Sequence, residues 1–287
     1  MPDIEAILEH LANLPLYEDE KPYLALLPPS HPIHKLSPGK RLNNLEWESY
    51  DTTIHDIRPD IQNYKIDECG FQVLDHESKV KNLETVESVV AYRRETEGLL
   101  KEALGAEFAF CYDLALRENV KWERSELDLL DPLLVQGPAR GVHNDVTATS
   151  GPAMINRHLP EDVKHQYCSP DYRYRIVNTW RTLNPVAKDR PLTFCDYRTV
   201  DPDDLMPADR IIPVGAGEVY YLLHNPEQRW CWLENQSAKE PFMMLMYDTF
   251  PQGGAQYCPH VSFINTREPN ALPRRSVETR TIVISRK

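Results

Sequence analysis

The sequence predicts a mainly β fold, a jelly-roll barrel with helices at its N-terminal end and along its flanks. Three observations lead there. Short apolar runs recur after Gly105, separated by Pro, Gly, Asn and Asp turns, as in sandwiches and barrels. Helical periodicity is confined to the first third and one later interruption. The 24 prolines outnumber the 11 glycines, which describes stiff loops joining short elements. With 287 residues, no internal repeat and no low-complexity linker, residues 1–287 are expected to form one domain. In it, 1–105 is a helical and extended support and 106–287 the jelly-roll core.

Taken in order, Ile4, Ile7, Leu8, Leu11 and Leu14 recur at helical spacing and predict a helix. The run Leu27-Pro28-Pro29-Ser30-His31-Pro32 cannot be helical and is expected to lie extended over the surface. Phe71-Gln72-Val73-Leu74 suits an edge strand. From Lys79 to Leu104, the residues Val86, Val89, Val90, Tyr92, Leu99, Leu100 and Leu104 form a helical face that Gly105 would stop. Residues 108–112 are apolar enough for a buried strand. Further strands are expected near 141–147, 174–181, 192–197, 210–214, 218–223, 229–233, 242–247, 260–264 and 277–284, with a short helix over 152–166.

Composition narrows the function classes. The chain is 41% hydrophobic and 26% charged, as in a soluble globule. A net charge of −12 with no basic stripe argues against a nucleic-acid partner, which needs clustered Lys and Arg. No apolar run approaches the ~18–20 residues that span a bilayer, so no membrane partner is expected. The acidic start, Met1-Pro2-Asp3-Ile4-Glu5, lacks the apolar stretch of a signal peptide. Six scattered cysteines without a C-x-x-C pair read as free thiols of a reducing compartment, and cytoplasmic residence follows. Nothing specifies the oligomeric state.

The sharpest local feature is Val142-His143-Asn144-Asp145-Val146. On a strand, residues i and i+2 share a face, so His143 and Asp145 offer an imidazole nitrogen and a carboxylate oxygen side by side. That is two-thirds of the 2-His-1-carboxylate triad, which leaves positions open on iron(II) for a co-substrate and O2. Taken alone, H-x-D is a weak pattern. A third ligand must be a histidine on a later strand, and only His224 and His260 follow His165. His260 opens an apolar run and is followed by Arg274-Arg275-Ser276. Arg274 and Ser276 share a face and suit the distal carboxylate of 2-oxoglutarate, because guanidinium forks pair bidentately with carboxylates. His224 has no such Arg-x-Ser after it. Asp145 itself disfavours halogenation, which needs a vacant ligand position for halide.

Several strings in order then resemble one family. They are His143-Asn144-Asp145, Trp180-Arg181 with Asn184-Pro185-Val186, Pro191 to Asp196, Tyr247-Asp248-Thr249, Pro259 to Phe263, and Pro273 to Arg280. Together they resemble the fungal iron(II)/2-oxoglutarate-dependent hydroxylase/desaturase family, which includes a gibberellin desaturase and a subunit of the cephalosporin 7-alpha-methoxylase. The resemblance covers roughly residues 105–287. It implies a double-stranded β-helix (a cupin-like jelly roll), Fe(II), 2-oxoglutarate and O2, and a small secondary-metabolite substrate that is hydroxylated or desaturated. It also implies His143, Asp145 and His260 as iron ligands and the Arg274/Ser276/Arg280 face for the co-substrate. Arg274 and Arg280 share parity but stand roughly 20 Å apart along an extended strand, so one small diacid cannot engage both. Gln228 stands where many relatives have His, which puts substrate choice in question.

Substrate-facing candidates are Asn178, Trp180, Arg181, Tyr221, His224 and Gln228. Asn178 and Trp180 share a face and Arg181 takes the other, while a buried Trp is more often core than platform. Two rival readings stand beside the oxygenase. A cupin-like isomerase or cyclase would use its metal as a Lewis acid and work without oxygen. A non-catalytic binding barrel would bind no iron(II) tightly.

Overall fold

The computed structural model describes residues 3–27, 31–32, 42–121, 128, 130–213 and 215–287. The described strands are β1 (Ile4–Leu11), β2 (Tyr23–Ala25), β3 (Trp47–Asp56), β4 (Phe71–Val73), β5 (Phe108–Glu118), β6 (Val135–Gln136), β7 (His143–Asn144), β8 (Tyr172–Thr182), β9 (Leu192–Cys195), β10 (Leu205–Ile212), β11 (Gly215–Leu222), β12 (Trp230–Trp232), β13 (Phe242–Asp248), β14 (His260–Ser262) and β15 (Arg275–Arg286). The described α-helices are α1 (Leu16–Asp19), α2 (Ile66–Cys69), α3 (Val86–Leu104), α4 (Ser150–His158) and α5 (Glu161–Tyr167). The strands form a nine-stranded sheet, β1-β3-β12-β9-β14-β7-β11-β10-β2, and a six-stranded sheet, β4-β13-β8-β15-β5-β6.

The inner faces of the two sheets make the main core. Register sets His260 opposite Phe194 and Phe194 opposite Cys231, so these three point inward while Val261, Thr193 and Trp230 point outward. Phe194 meets Phe71 and Phe242 at centroid distances of 5.1 and 4.3 Å, and Ile176, Trp180, Met244 and Ile282 close the layer. Each such side chain contributes about 1.5–3 kcal/mol by leaving water.

The outer faces are also covered, which explains the uniformly apolar strands. Val89, Tyr92 and Leu100 of α3 lie over Leu116, Val277, Ala109 and Val283 of the smaller sheet. Strand β13 therefore buries residues on both faces and loses the polar alternation of a half-exposed strand. Helix α3 starts later than the expected Lys79. Thr85 accepts the Ser88 N–H at 3.2 Å and Ser88 Oγ accepts the Thr85 N–H, a reciprocal cap that fixes the first turn. Gly105, at φ 58°, ends it as expected. The expected helix over 152–166 is two helices, because Pro160 interrupts the hydrogen-bond ladder between α4 and α5.

The larger correction concerns the N-terminal third. Residues 4–11 are a strand, not a helix. Ile4, Ala6, Leu8 and His10 are buried while Glu5 and Ile7 face solvent, a period of two that the helical count over Ile7 and Leu11 concealed. β1 pairs with β3, and the pair packs Ile4, Ala6, Leu8 and Ile54 on Val142, Val261, Trp230 and Trp232. β3 itself, Trp47 to Asp56, was too polar to stand out as a strand. Phe71–Val73 does form an edge strand, of the smaller sheet. Of the proline-rich run, residues 28–30 lie outside the described residues. No described helix is long and apolar enough to cross a membrane.

Candidate metal centre

Strand β7 brings His143 directly opposite His260 of β14 and opposite Tyr221 of β11. Asp145 follows two residues on. The ligand atoms of His143, Asp145 and His260 lie within 4.8 Å of one another. The Nε2 of His143 is 3.6 Å from Asp145 Oδ1, and the two imidazole centroids are 4.6 Å apart. His224 takes no part in this cluster.

Local backbone contacts set the tautomers. His143 Nδ1 lies 2.9 Å from the Gly141 carbonyl, and His260 Nδ1 lies 3.0 Å from the Cys258 carbonyl. A carbonyl can only accept, so each Nδ1 carries its proton and each Nε2 keeps a lone pair toward the centre. Burial, then the His260 imidazole, pushes the His143 pKa down to about 4, so this ring is neutral at physiological pH.

Asp145 divides its two oxygens. Oδ2 accepts from Asn178 Nδ2 at 2.7 Å and from Arg280 Nε at 3.1 Å, leaving Oδ1 on the histidine side. Burial would raise its pKa, but the Arg280 guanidinium and the two imidazoles outweigh that and hold the carboxyl well below the usual range. Two imidazoles whose Nδ1 atoms are held by carbonyls, and one carboxylate, converge in a donor set that fits a divalent iron ion.

Arg280 is fully used as a clamp. Beyond Asp145 it donates to Asp113 Oδ2 at 2.6 Å and to Glu278 Oε1 at 2.9 Å. Glu278 is held also by Arg117, through Nε at 2.9 Å and Nη2 at 2.7 Å. Arg274 is placed differently. It is buried, makes no ion pair among the described residues, donates through Nε to Ser276 Oγ at 3.0 Å, and lies 5.1 Å over the Trp180 ring. Trp180 stands opposite Glu278, so the long side chain carries the guanidinium back toward the centre. Burial pushes its pKa down to about 9, with Arg117 adding repulsion. A buried guanidinium lacking a carboxylate fits the distal end of 2-oxoglutarate. Arg280 is instead already paired with three carboxylates.

The remaining candidates separate. Asn178, Trp180 and Tyr221 face inward with the triad. Arg181 does not. Its guanidinium donates to Tyr92 Oη at 2.9 Å, the His76 carbonyl at 2.8 Å and the Ala238 carbonyl, so it fastens α3 to the sheet. His224 stacks on Tyr50 at 3.8 Å and meets His10 edge-on at 5.2 Å. Gln228 donates to Asp204 Oδ2 at 3.3 Å and to the Leu223 carbonyl at 2.8 Å. No described hydrogen bond or ring contact of either residue joins the triad.

Sequence reasoning missed Asn144, Asp113, Arg117 and Glu278. Asn144 is buried and donates to the Met246 carbonyl at 3.0 Å while its Oδ1 accepts the Cys258 N–H at 3.2 Å. It thereby locks β7 to the turn that delivers His260. Glu278 could have been found from its place between Ser276 and Arg280 on one face. Arg117 had no such signal.

A family model described as "Oxidoreductase/YMDC permease-like domain" matches residues 18–284. The hydroxylase/desaturase efuI of Hormonema carpetanum is 28% identical over 256 residues, 83% of this chain and 85% of that protein. The Fe(II)/2-oxoglutarate-dependent dioxygenase nvfI of Aspergillus novofumigatus is 26% identical over 86% of this chain and 87% of its own length. The fold is that of the solved iron and alpha-ketoglutarate-dependent endoperoxidase NvfI, with a TM-score of 0.81 at 22% identity over 100% of this chain and 99% of that one. The chain therefore belongs to this oxidoreductase family and, within it, to the fungal iron(II)- and 2-oxoglutarate-dependent hydroxylases and desaturases.

Proposed function

We propose that His143, Asp145 and His260 hold the iron(II) and that Arg274 with Ser276 holds the distal carboxylate of 2-oxoglutarate, for hydroxylation or desaturation of a small secondary metabolite. The single observation behind this reading is the convergence of two imidazole nitrogens and one carboxylate oxygen within 4.8 Å. When bound, iron with 2-oxoglutarate and O2 supplies an oxidant able to remove hydrogen from an unactivated C–H bond. The residues do the rest. Gly141 and Cys258 carbonyls hold the imidazole tautomers, and Asn178 with Arg280 fixes the Asp145 carboxylate. Trp180, under Arg274, together with Phe194 and Phe242, lines the apolar layer behind the centre that excludes water from the co-substrate end.

The same reading takes residues 1–287 as one domain, acting in the cytoplasm on a small molecule without a nucleic-acid or membrane partner. It is supported by the continuous sheets, in which β1–β3 join strands of the later core, and by the acidic charge. The test is succinate formation from 2-oxoglutarate with iron(II) and ascorbate. His143→Ala is expected to remove it, and unchanged turnover in that variant would defeat the assignment.

A further inference from the structure

Arg210 shares the inner face with the triad. His143 stands opposite Tyr221, Tyr221 stands opposite Met206, and Met206, Ala208 and Arg210 alternate onto that side. Arg210 is four residues along β10 from Met206, roughly 13 Å of strand, toward the same end as Asp145. Its charge bears on both Asp145 and His143. Among the described residues it makes no hydrogen bond and no ion pair. Burial and the Arg280 guanidinium hold its pKa below the ordinary arginine range.

The surroundings leave it room. Gly217 is directly opposite Arg210, and a methyl group built there would meet no atom within 4 Å. A methyl group on Gly215, two residues away on the same face, would meet the Arg157 guanidinium of α4 at 3.7 Å. Arg157 also has no hydrogen bond or ion pair among the described residues. Tyr112 stacks on the neighbouring His158 at 4.5 Å, and its buried hydroxyl has no partner. Arg210, half-buried on the inner face, thus has no carboxylate partner among the described residues and open space across from it, while Arg157 stands exposed at the rim. A desolvated cation is tolerated where a ligand supplies the counter-charge. The co-substrate has one distal carboxylate, for which Arg274 and Ser276 are already placed.

We infer that Arg210, with Arg157 at the rim, binds a carboxylate of the organic substrate, so that this oxygenase acts on small-molecule acids. The inference rests on the iron and co-substrate assignment above.

The test is an anaerobic titration of the enzyme loaded with iron(II) and 2-oxoglutarate, using aromatic and alicyclic carboxylic acids, each beside its methyl ester. Binding is read by perturbation of the visible absorption band and by calorimetry. Acids are expected to bind at least tenfold more tightly than their esters. Arg210→Met should abolish that preference while the 2-oxoglutarate Kd stays within about twofold, and Arg210→Lys should restore part of it. Acids binding no better than esters, or no acid binding, would overturn the proposal. So would an Arg210→Met variant that loses 2-oxoglutarate affinity as Arg274→Met does. If the loaded enzyme forms no band, the iron assignment itself has failed and the proposal falls with it.

Discussion

At Asp145 the two carboxylate oxygens have different neighbours, Oδ2 accepting from Asn178 and Arg280 and Oδ1 facing His143. The side chain is thus oriented before any metal arrives. Asn178→Ala should weaken iron(II) affinity by about 10–100-fold, the usual effect of losing an outer partner, with little change in thermal stability. Metal titration of the two proteins checks this. Glu278 gives a pH prediction. Burial opposes its charge, but Arg117 and Arg280 hold its pKa at about 2, below the ordinary 4.5. A carboxyl depressed by folding adds stability that is fully present above pH 4.5 and is lost as pH falls from there toward 2. Glu278→Gln should cost about 3 kcal/mol at neutral pH by leaving Arg117 without its counter-charge, and the deficit should shrink across that acid window. Urea melts of both proteins from pH 7 to pH 3 would show it. At this scale the sequence exposed what strand parity can reach: the His143–Asp145 pair and the Arg274–Ser276 pair. It could not show that Arg280 clamps Asp145, because that contact joins opposing sheets across 135 positions.

Among the elements, the β1–β3 pair governs where β7 sits. The Val142 N–H donates to the Glu9 carbonyl at 2.8 Å, and Gly141 lies against Trp47. Gly141 has φ 75°, and a Cβ there would stand 2.0 Å from the Trp47 ring. Both constraints require glycine at this point. Gly141→Ala should therefore displace the segment entering β7, destabilise the fold and reduce metal affinity by tenfold or more, measured by thermal melts with and without manganese(II). The β1–β3 pair was the least legible part of the chain. Ile4 and Leu8 satisfy both helical and strand spacing, and the residues that decide between them, Ala6 and His10, are too small or too polar to count as apolar signals. The strands of the core were easier, because β8, β13 and β15 carry long buried runs between turn residues. Helix α3 was legible at its end, where Gly105 caps it, and less so at its start, where the Thr85 cap is a matter of side-chain hydrogen bonds.

For the whole molecule, two facing sheets create an apolar layer with the polar cluster of the triad set into it, and α3 and the β1–β3 pair bury further apolar residues outside that layer. The excess of acidic residues lies on a protein whose buried centre is rich in arginine: Arg117, Arg274 and Arg280, with Arg210 at its edge. Arg117 and Arg280 are matched there by Glu278, Asp145 and Asp113, which leaves Arg274 and Arg210 without a carboxylate partner among the described residues. The central claim, that the triad and Arg274 jointly hold iron(II) and 2-oxoglutarate, is tested most directly by anaerobic addition of iron(II) and then 2-oxoglutarate while following visible absorption. The parent protein should develop a 2-oxoglutarate-dependent band with a stoichiometry of one. His260→Ala should abolish it, and Arg274→Met should raise the 2-oxoglutarate concentration it needs by about 100-fold. A band of undiminished strength and affinity in both variants would contradict the account.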